Sequence, residues 1–191
     1  MIQWKESYEK ILSSFANEGA DILVGTQMIV KGHDFPNVTL VGVLAADMAL
    51  HVNDFHAAER TFQLLTQAAG RAGRGQLPGN VVIQTYDPDN YAIEAAREQN
   101  YEKFYEQEIE YRKIMNYPPV WNMLVIWLLS PDSQRLEAAS DEIGGYTQRY
   151  IGSLDEKILQ IGPADAGISK INDVHRKVIY FKTKNEGRIP K

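Results

Sequence analysis

Arg71 and Arg74 stand three residues apart in the run Gln67-Ala-Ala-Gly-Arg-Ala-Gly-Arg74, so on a helix they point to one side. Two guanidinium groups on one side suit an anion with several oxygens, because each offers a planar fork of donors. Gly70 and Gly73 let a second surface approach closely. If the anion is the γ-phosphate of a nucleotide, such arginines stabilise the charge that develops during transfer. A cation at the C-terminal end of a helix is also favoured by the helix dipole alone, so the pair has a plain structural reading beside the chemical one.

A second stretch carries different chemistry. Residues 25–36, Gly-Thr-Gln-Met-Ile-Val-Lys-Gly-His-Asp-Phe-Pro, offer hydroxyl, amide, ammonium and carboxylate groups at Thr26, Gln27, Lys31 and Asp34, with a flexible Gly32. They follow a short apolar run, residues 21–25, that reads as a strand buried on both faces. Ligands of open α/β sheets sit at the carboxyl ends of strands, so this loop is placed where a site belongs. A third group lies near the end of the chain. Lys170, Arg176, Lys177 and Lys182 alternate with Tyr180 and Phe181, a pattern that can grip phosphates and stack bases. The same pattern also describes a solvated strand face with the aromatic residues turned inward. The four histidines show no metal-ligand spacing. The charges over residues 94–113 read as a salt-bridged helix surface.

The elements that must position these groups follow from periodicity. Tyr8, Ile11, Leu12 and Phe15 predict a helix over residues 6–17, ending near Gly19. Residues 38–44 predict a second buried strand, residues 56–74 a helix carrying Gln67, Arg71 and Arg74 on one face, and residues 80–86 a third strand. That alternation indicates an α/β unit with a mainly parallel sheet. Beyond Asp87-Pro88 one long charged helix is expected over residues 91–117, stopped by Pro118-Pro119. A strand over residues 121–129, a helix over 132–151, a strand over 157–161 and a hairpin over 168–184 turning at Asn172-Asp173 complete a separate α+β domain. The domains expected are 1–90 for the α/β part, 91–118 for a connecting helix and 119–191 for the α+β part.

Composition limits the classes. The chain has 191 residues, 44% hydrophobic and 24% charged, ordinary for a folded domain, and no apolar run approaches the roughly 20 residues that span a bilayer. There are no cysteines, which excludes disulfides, thiolate nucleophiles and cysteine zinc sites. The net charge is −5, which argues against coating a polyanion by bulk charge. The charge is nonetheless polarised: residues 168–191 hold seven basic and two acidic side chains.

The blocks ILVGTQMIVKGHDFPNVTLVGVLAAD and DFHAAERTFQLLTQAAGRAGRG resemble motifs V and VI of superfamily-two helicases. In order and detail they are similar to the primosomal, replication-restart helicase family. The similarity continues through IQTYDPDN, residues 100–105, Tyr117-Pro-Pro119 and Ile161-Gly-Pro-Ala164, and so covers nearly the whole chain. Asn53 and His56 depart from the Pro and Arg usual in that family, so an imidazole stands where the family has a guanidinium. The resemblance implies an α/β fold: part of the second RecA-like helicase lobe, followed by a smaller α+β domain. It implies the C-terminal part of an ATP-dependent 3′→5′ DNA helicase that restarts stalled or branched replication forks. Its partners would be DNA, single-strand-binding protein and other primosome proteins, with no membrane, in the bacterial cytoplasm.

The roles implied are Arg74 as arginine finger, Arg71 in support and Gln67 orienting water or phosphate. Gly32, Asp34, Gly70 and Gly73 would face the nucleotide, and Thr26, Gln27 and Lys31 the DNA. ATP and magnesium would serve the full-length protein only, and a zinc element is expected upstream, with no metal in this chain. No Gly-Lys dipeptide occurs, so a P-loop cannot be written onto the sequence, and the chain alone is expected to hydrolyse no ATP. The alternative is a non-catalytic DNA- or protein-docking module that keeps the helicase-like lobe as scaffold.

Overall fold

The computed structural model describes residues 2–17, 19–27, 35–73 and 77–184, with side chains from Tyr8 onward. The chain divides into two compact units, residues 1–104 and 105–191, and the division falls inside a helix.

The first unit opens on α1 (Ile2–Ala16) and continues through β1 (Leu40–Val43), α2 (Ala57–Ala69), β2 (Asn80–Ile83) and α3 (Tyr91–Glu98). Strands β1 and β2 pair in parallel, Leu40 with Asn80 through Val43 with Ile83, as the strand–helix–strand order predicts. The core gathers Phe62 and Leu65 of α2, Ala92, Ile93, Ala95 and Ala96 of α3, and Phe104, with Val43 and Ile83 packed against it. Phe62 and Phe104 stack with centroids 4.4 Å apart. These faces are the ones that helical spacing selects.

Two expectations fail here. Residues 21–25 form no strand: the backbone pairs with nothing that would make one, and Ile22 and Val24 are 79% and 85% exposed. A strand exists only where a neighbour takes its hydrogen bonds, which an apolar run does not specify. Strands β1 and β2 are covered on one face only. Val41, Val43, Val81 and Ile83 are half-buried, while Leu40 and Val82 are 61% and 58% exposed.

The expected single helix over residues 91–117 is two. Gln99 takes a left-handed conformation with φ 52°, ending α3, and Asn100 restarts the chain as α4 (Tyr101–Met115) by accepting the Lys103 N–H on its side-chain oxygen at 2.9 Å. Charge periodicity runs through this break, because the capping residues are themselves polar.

The second unit contains the rest of α4, then β3 (Asn122–Ser130), α5 (Ser133–Gly152), β4 (Ile158–Ile171) and β5 (Val174–Thr183). The sheet is antiparallel in the order β3-β5-β4, with β5 central. Asn172 and Asp173 both have positive φ, 49° and 60°, the pairing of a two-residue hairpin turn at the expected place. Helix α5 starts at Asp132, whose carboxylate accepts the N–H groups of Gln134 and Arg135. It lies close against β4: a side chain at Gly144 would collide with the Pro163 ring. Strand β4 extends well past the expected residue 161, through register shifts after Ile161 and after Asp165. Ile179, at 0% exposed, and Val178, at 2%, fill the centre of the unit.

Candidate functional site

Helix α2 ends at Ala69, short of the residue 74 expected, so of this run Gln67 lies on the helix while Arg71 does not share its face, and the geometry beyond the helix end is set by backbone approach. Gly70 caps α2, its N–H donating to the carbonyls of Thr66 and Ala68. Arg71 follows, half-buried, with its N–H on the Ala68 carbonyl at 3.0 Å. Gly73 has φ 72°, a left-handed conformation that favours glycine, and its N–H donates to the Val38 carbonyl at 3.0 Å. A side chain on Gly79 would collide with the backbone of Gly73 and Ala72, so these glycines let the chain leaving α2 fold back against its own continuation.

That hydrogen bond places the candidate groups on the sheet. Helix α2 carries the chain from the carboxyl end of β1 back to the amino end of β2, as a parallel crossover requires. The segment holding Arg71 and Gly73 therefore lies at the amino ends of the strands. Phe35–Thr39, which includes the last two residues of the 25–36 loop, enters β1 at that same edge, and the Asn80 N–H on the Thr39 carbonyl at 2.8 Å closes it. The carboxyl-end placement expected for the loop relied on a strand over residues 21–25, which does not form; its described end, Phe35 and Pro36, leads into the amino end of β1. The two motif blocks meet through Val38 and Gly73. Gln67, Thr26 and Gln27 are exposed. Lys31, Gly32, Asp34 and Arg74 lie outside the described residues.

At the start of α2 an ionic cluster forms that motif reading did not single out. Asp54 accepts the His56 N–H at 3.0 Å, faces the His56 ring Nδ1 at 3.0 Å and pairs with Arg60 at 2.7 Å. Burial pushes the Asp54 carboxyl up, but the hydrogen bonds from His56 and the Arg60 charge outweigh it and hold the group below the usual carboxylate value. His56, which departs from the family's Arg, is therefore seated against a carboxylate that also has an arginine partner. Asp47 is buried, with its carboxylate 3.4 Å from the Tyr86 N–H. The helical patterning around these acids gives no hint of the contacts, which join residues across turns.

The basic residues of the hairpin are dispersed. Lys170 pairs with Asp173 at 3.0 Å across the turn. Lys177 lies between Glu137 at 2.7 Å and Asp165 at 3.5 Å, and the hydrogen bond its ammonium donates to Glu137 above all raises its pKa despite partial burial. Lys182 is buried. Its ammonium donates to the Met115 carbonyl at 2.9 Å and sits 3.8 Å from the centroid of the Tyr117 ring, and burial pulls its pKa down. The phosphate-gripping placement expected of Lys177 and Lys182 is therefore corrected: both ammonium groups are spent inside the unit, because β5 is the central strand and both its faces are covered there. Arg176 remains, with its guanidinium carbon 4.6 Å from the centroid of the Trp127 ring. Among the described residues no group of His, Asp or Glu could hold a metal ion.

Residues 5–76 match the helicase conserved C-terminal domain, which falls within the first unit. Over 97% of its length the chain is 44% identical to the replication restart protein PriA of Bacillus subtilis, covering 23% of that protein. It is 40% identical over 93% of its length to PriA of Synechocystis, covering 21%, and 35% identical over 94% to PriA of Borreliella burgdorferi, covering 27%. The chain belongs to the PriA family. It spans about a quarter of the length of these relatives. The first unit is part of a RecA-like helicase lobe, and the second is the smaller α+β domain that follows it. Among the described residues no helix is long and apolar enough to cross a membrane.

Proposed function

We propose that this chain supplies the motif V and VI half of a RecA-like lobe and the following α+β domain to an ATP-dependent 3′→5′ DNA helicase of replication restart. The observation that carries the reading is the Gly73 N–H on the Val38 carbonyl at 3.0 Å, which brings the Arg71-bearing turn after α2 beside the strand entered from the residue 25–36 loop. That juxtaposition, with the PriA relatives and the helicase domain match, supports a shared site for nucleotide and DNA. In the proposed roles Arg74 is the arginine finger, Arg71 supports it and Gln67 orients the attacking water. Gly32, Asp34, Gly70 and Gly73 face ATP and its magnesium ion, and Thr26, Gln27 and Lys31 contact the DNA backbone. An arginine finger acts by neutralising charge that appears only in transfer, so its removal lowers turnover more than binding.

In a polypeptide joining this chain to a P-loop lobe, Arg74→Ala lowers DNA-stimulated ATP hydrolysis by about 10³ or more and leaves DNA affinity within a few-fold. Turnover that survives the change overturns the assignment. The 191-residue chain alone, which carries no Gly-Lys dipeptide, is expected to show no DNA-stimulated phosphate release in the same assay. The partners proposed are branched DNA, single strands, single-strand-binding protein and other primosome components, in the bacterial cytoplasm.

A further inference from the structure

The three-stranded sheet has two unlike faces. Its carboxylate lies on the helix side, where Asp165 and Lys177 are cross-strand neighbours and Lys177 also reaches Glu137 of α5. The register sets Leu129 opposite Arg176, Val125 opposite Tyr180, and Ile161 opposite Tyr180 on the other edge. Strand alternation then puts Trp127, Leu129, Arg176, Tyr180 and Ile161 together on the second face. No carboxylate on β3, β4 or β5 shares that face by register. One end of it is closed by Tyr117 over Lys182. The other end is open, with Trp127 46%, Leu129 58% and Ile161 49% exposed.

Within this face Arg176 lies over the Trp127 ring and has no carboxylate partner among the described residues. An indole with a guanidinium on it presents π surface and positive charge at one point, and an unpaired base with its phosphate requires both. The chain as a whole is acidic, at −5, so a polyanion needs a patch free of carboxylates to approach. We infer that Trp127 and Arg176 form a stacking platform for an unpaired base of single-stranded nucleic acid. Arg176 neutralises the adjoining phosphate, and Leu129 and Ile161 supply the apolar floor. The inference rests on the nucleic-acid reading above and assigns it a surface that the hairpin lysines do not provide.

The test titrates a fluorescein-labelled oligothymidylate with the full 191-residue chain by anisotropy, beside an abasic oligonucleotide of equal length. Wild type is expected to prefer the thymidylate, and Trp127→Ala to weaken it about tenfold while leaving the abasic strand unchanged. Trp127→Leu, which keeps apolar bulk without the indole, gives the same loss and serves where the alanine variant does not fold. Arg176→Ala lowers the slope of log affinity against log salt by about 0.7, one phosphate on a single strand. Equal binding of thymidylate and abasic strands overturns the inference, as does unchanged affinity in both variants. So does competition by polyglutamate as strong as by unlabelled thymidylate, which marks an acidic protein partner. Loss of a wild-type dimer in Trp127→Ala without loss of oligonucleotide affinity overturns it in favour of a second copy. None of these variants touches the residues proposed for ATP hydrolysis, so failure here leaves the Arg74 test standing, and failure there leaves this one.

Discussion

A lysine ammonium that leaves water must find other oxygens or lose its proton, and Lys182 answers with the Met115 carbonyl and the Tyr117 ring. Burial still lowers its pKa below the unfolded value of about 10.4. The unfolded chain then binds more protons than the folded one in the window between those two values, so stability rises with pH there. Lys182→Met removes the titrating group. Denaturant titrations from neutral pH to pH 10.5 should show stability rising in the wild type relative to the variant, and parallel curves would contradict the assignment. Lys177 has the opposite sign, because its carboxylate partners raise its pKa. Two cations five residues apart on one strand thus respond oppositely to alkali. Neither response follows from sequence: alternation gives the side a residue faces, while the identity of what covers that side is set by segments far away in the chain.

Elements show where the sequence is a sufficient guide. Helix α5 and the β4–β5 turn lie close to their expected places because each is fixed by neighbours in sequence, through Asp132 capping two N–H groups and Asn172-Asp173 accepting positive φ. Asp132→Ala is expected to cost about 1 kcal/mol in urea unfolding, with little change in slope. Residues 21–25 and the break at Gln99 are not legible in the sequence for one physical reason: a strand needs a partner and a helix stop needs a cap, and hydropathy records neither. The candidate site shares that division. The arginines are plain in its sequence, but helical spacing does not apply to Arg71, which lies beyond the end of α2, and its place at the amino ends of the strands depends on the Gly73 hydrogen bond. Helix α4 adds an ion pair hidden in a charge-rich surface. Glu108 and Arg112, 5% and 8% exposed, meet at 2.6 Å, and Arg112 also donates to the Pro118 carbonyl at 3.0 Å. Arg112→Met should cost about 3–5 kcal/mol by removing the cation that the buried carboxylate meets at 2.6 Å. The double variant with Glu108→Leu should recover much of it, which a double-mutant cycle would measure.

The molecule as a whole has two cores, one around Phe62 and Ala95, the other around Ile179 and Val178. Residues in separate cores have additive effects on stability. Phe62→Ala, at about 3–5 kcal/mol, and Ile179→Ala, at about 2–5 kcal/mol, are expected to lower different calorimetric transitions. A single transition moved by both would show that the units unfold together.

The two ends of helix α4 serve different units. Phe104 near its start stacks on Phe62, and the carbonyl of Met115 at its end holds Lys182. Anyone dividing the gene to express either unit alone meets a dilemma at this helix. A cut before Tyr101 takes Phe104 away from the first core, and a cut after Met115 takes Glu108, Arg112 and the Lys182 anchor away from the second. Each half needs a different part of the same fifteen-residue helix, Tyr101–Met115, to be whole.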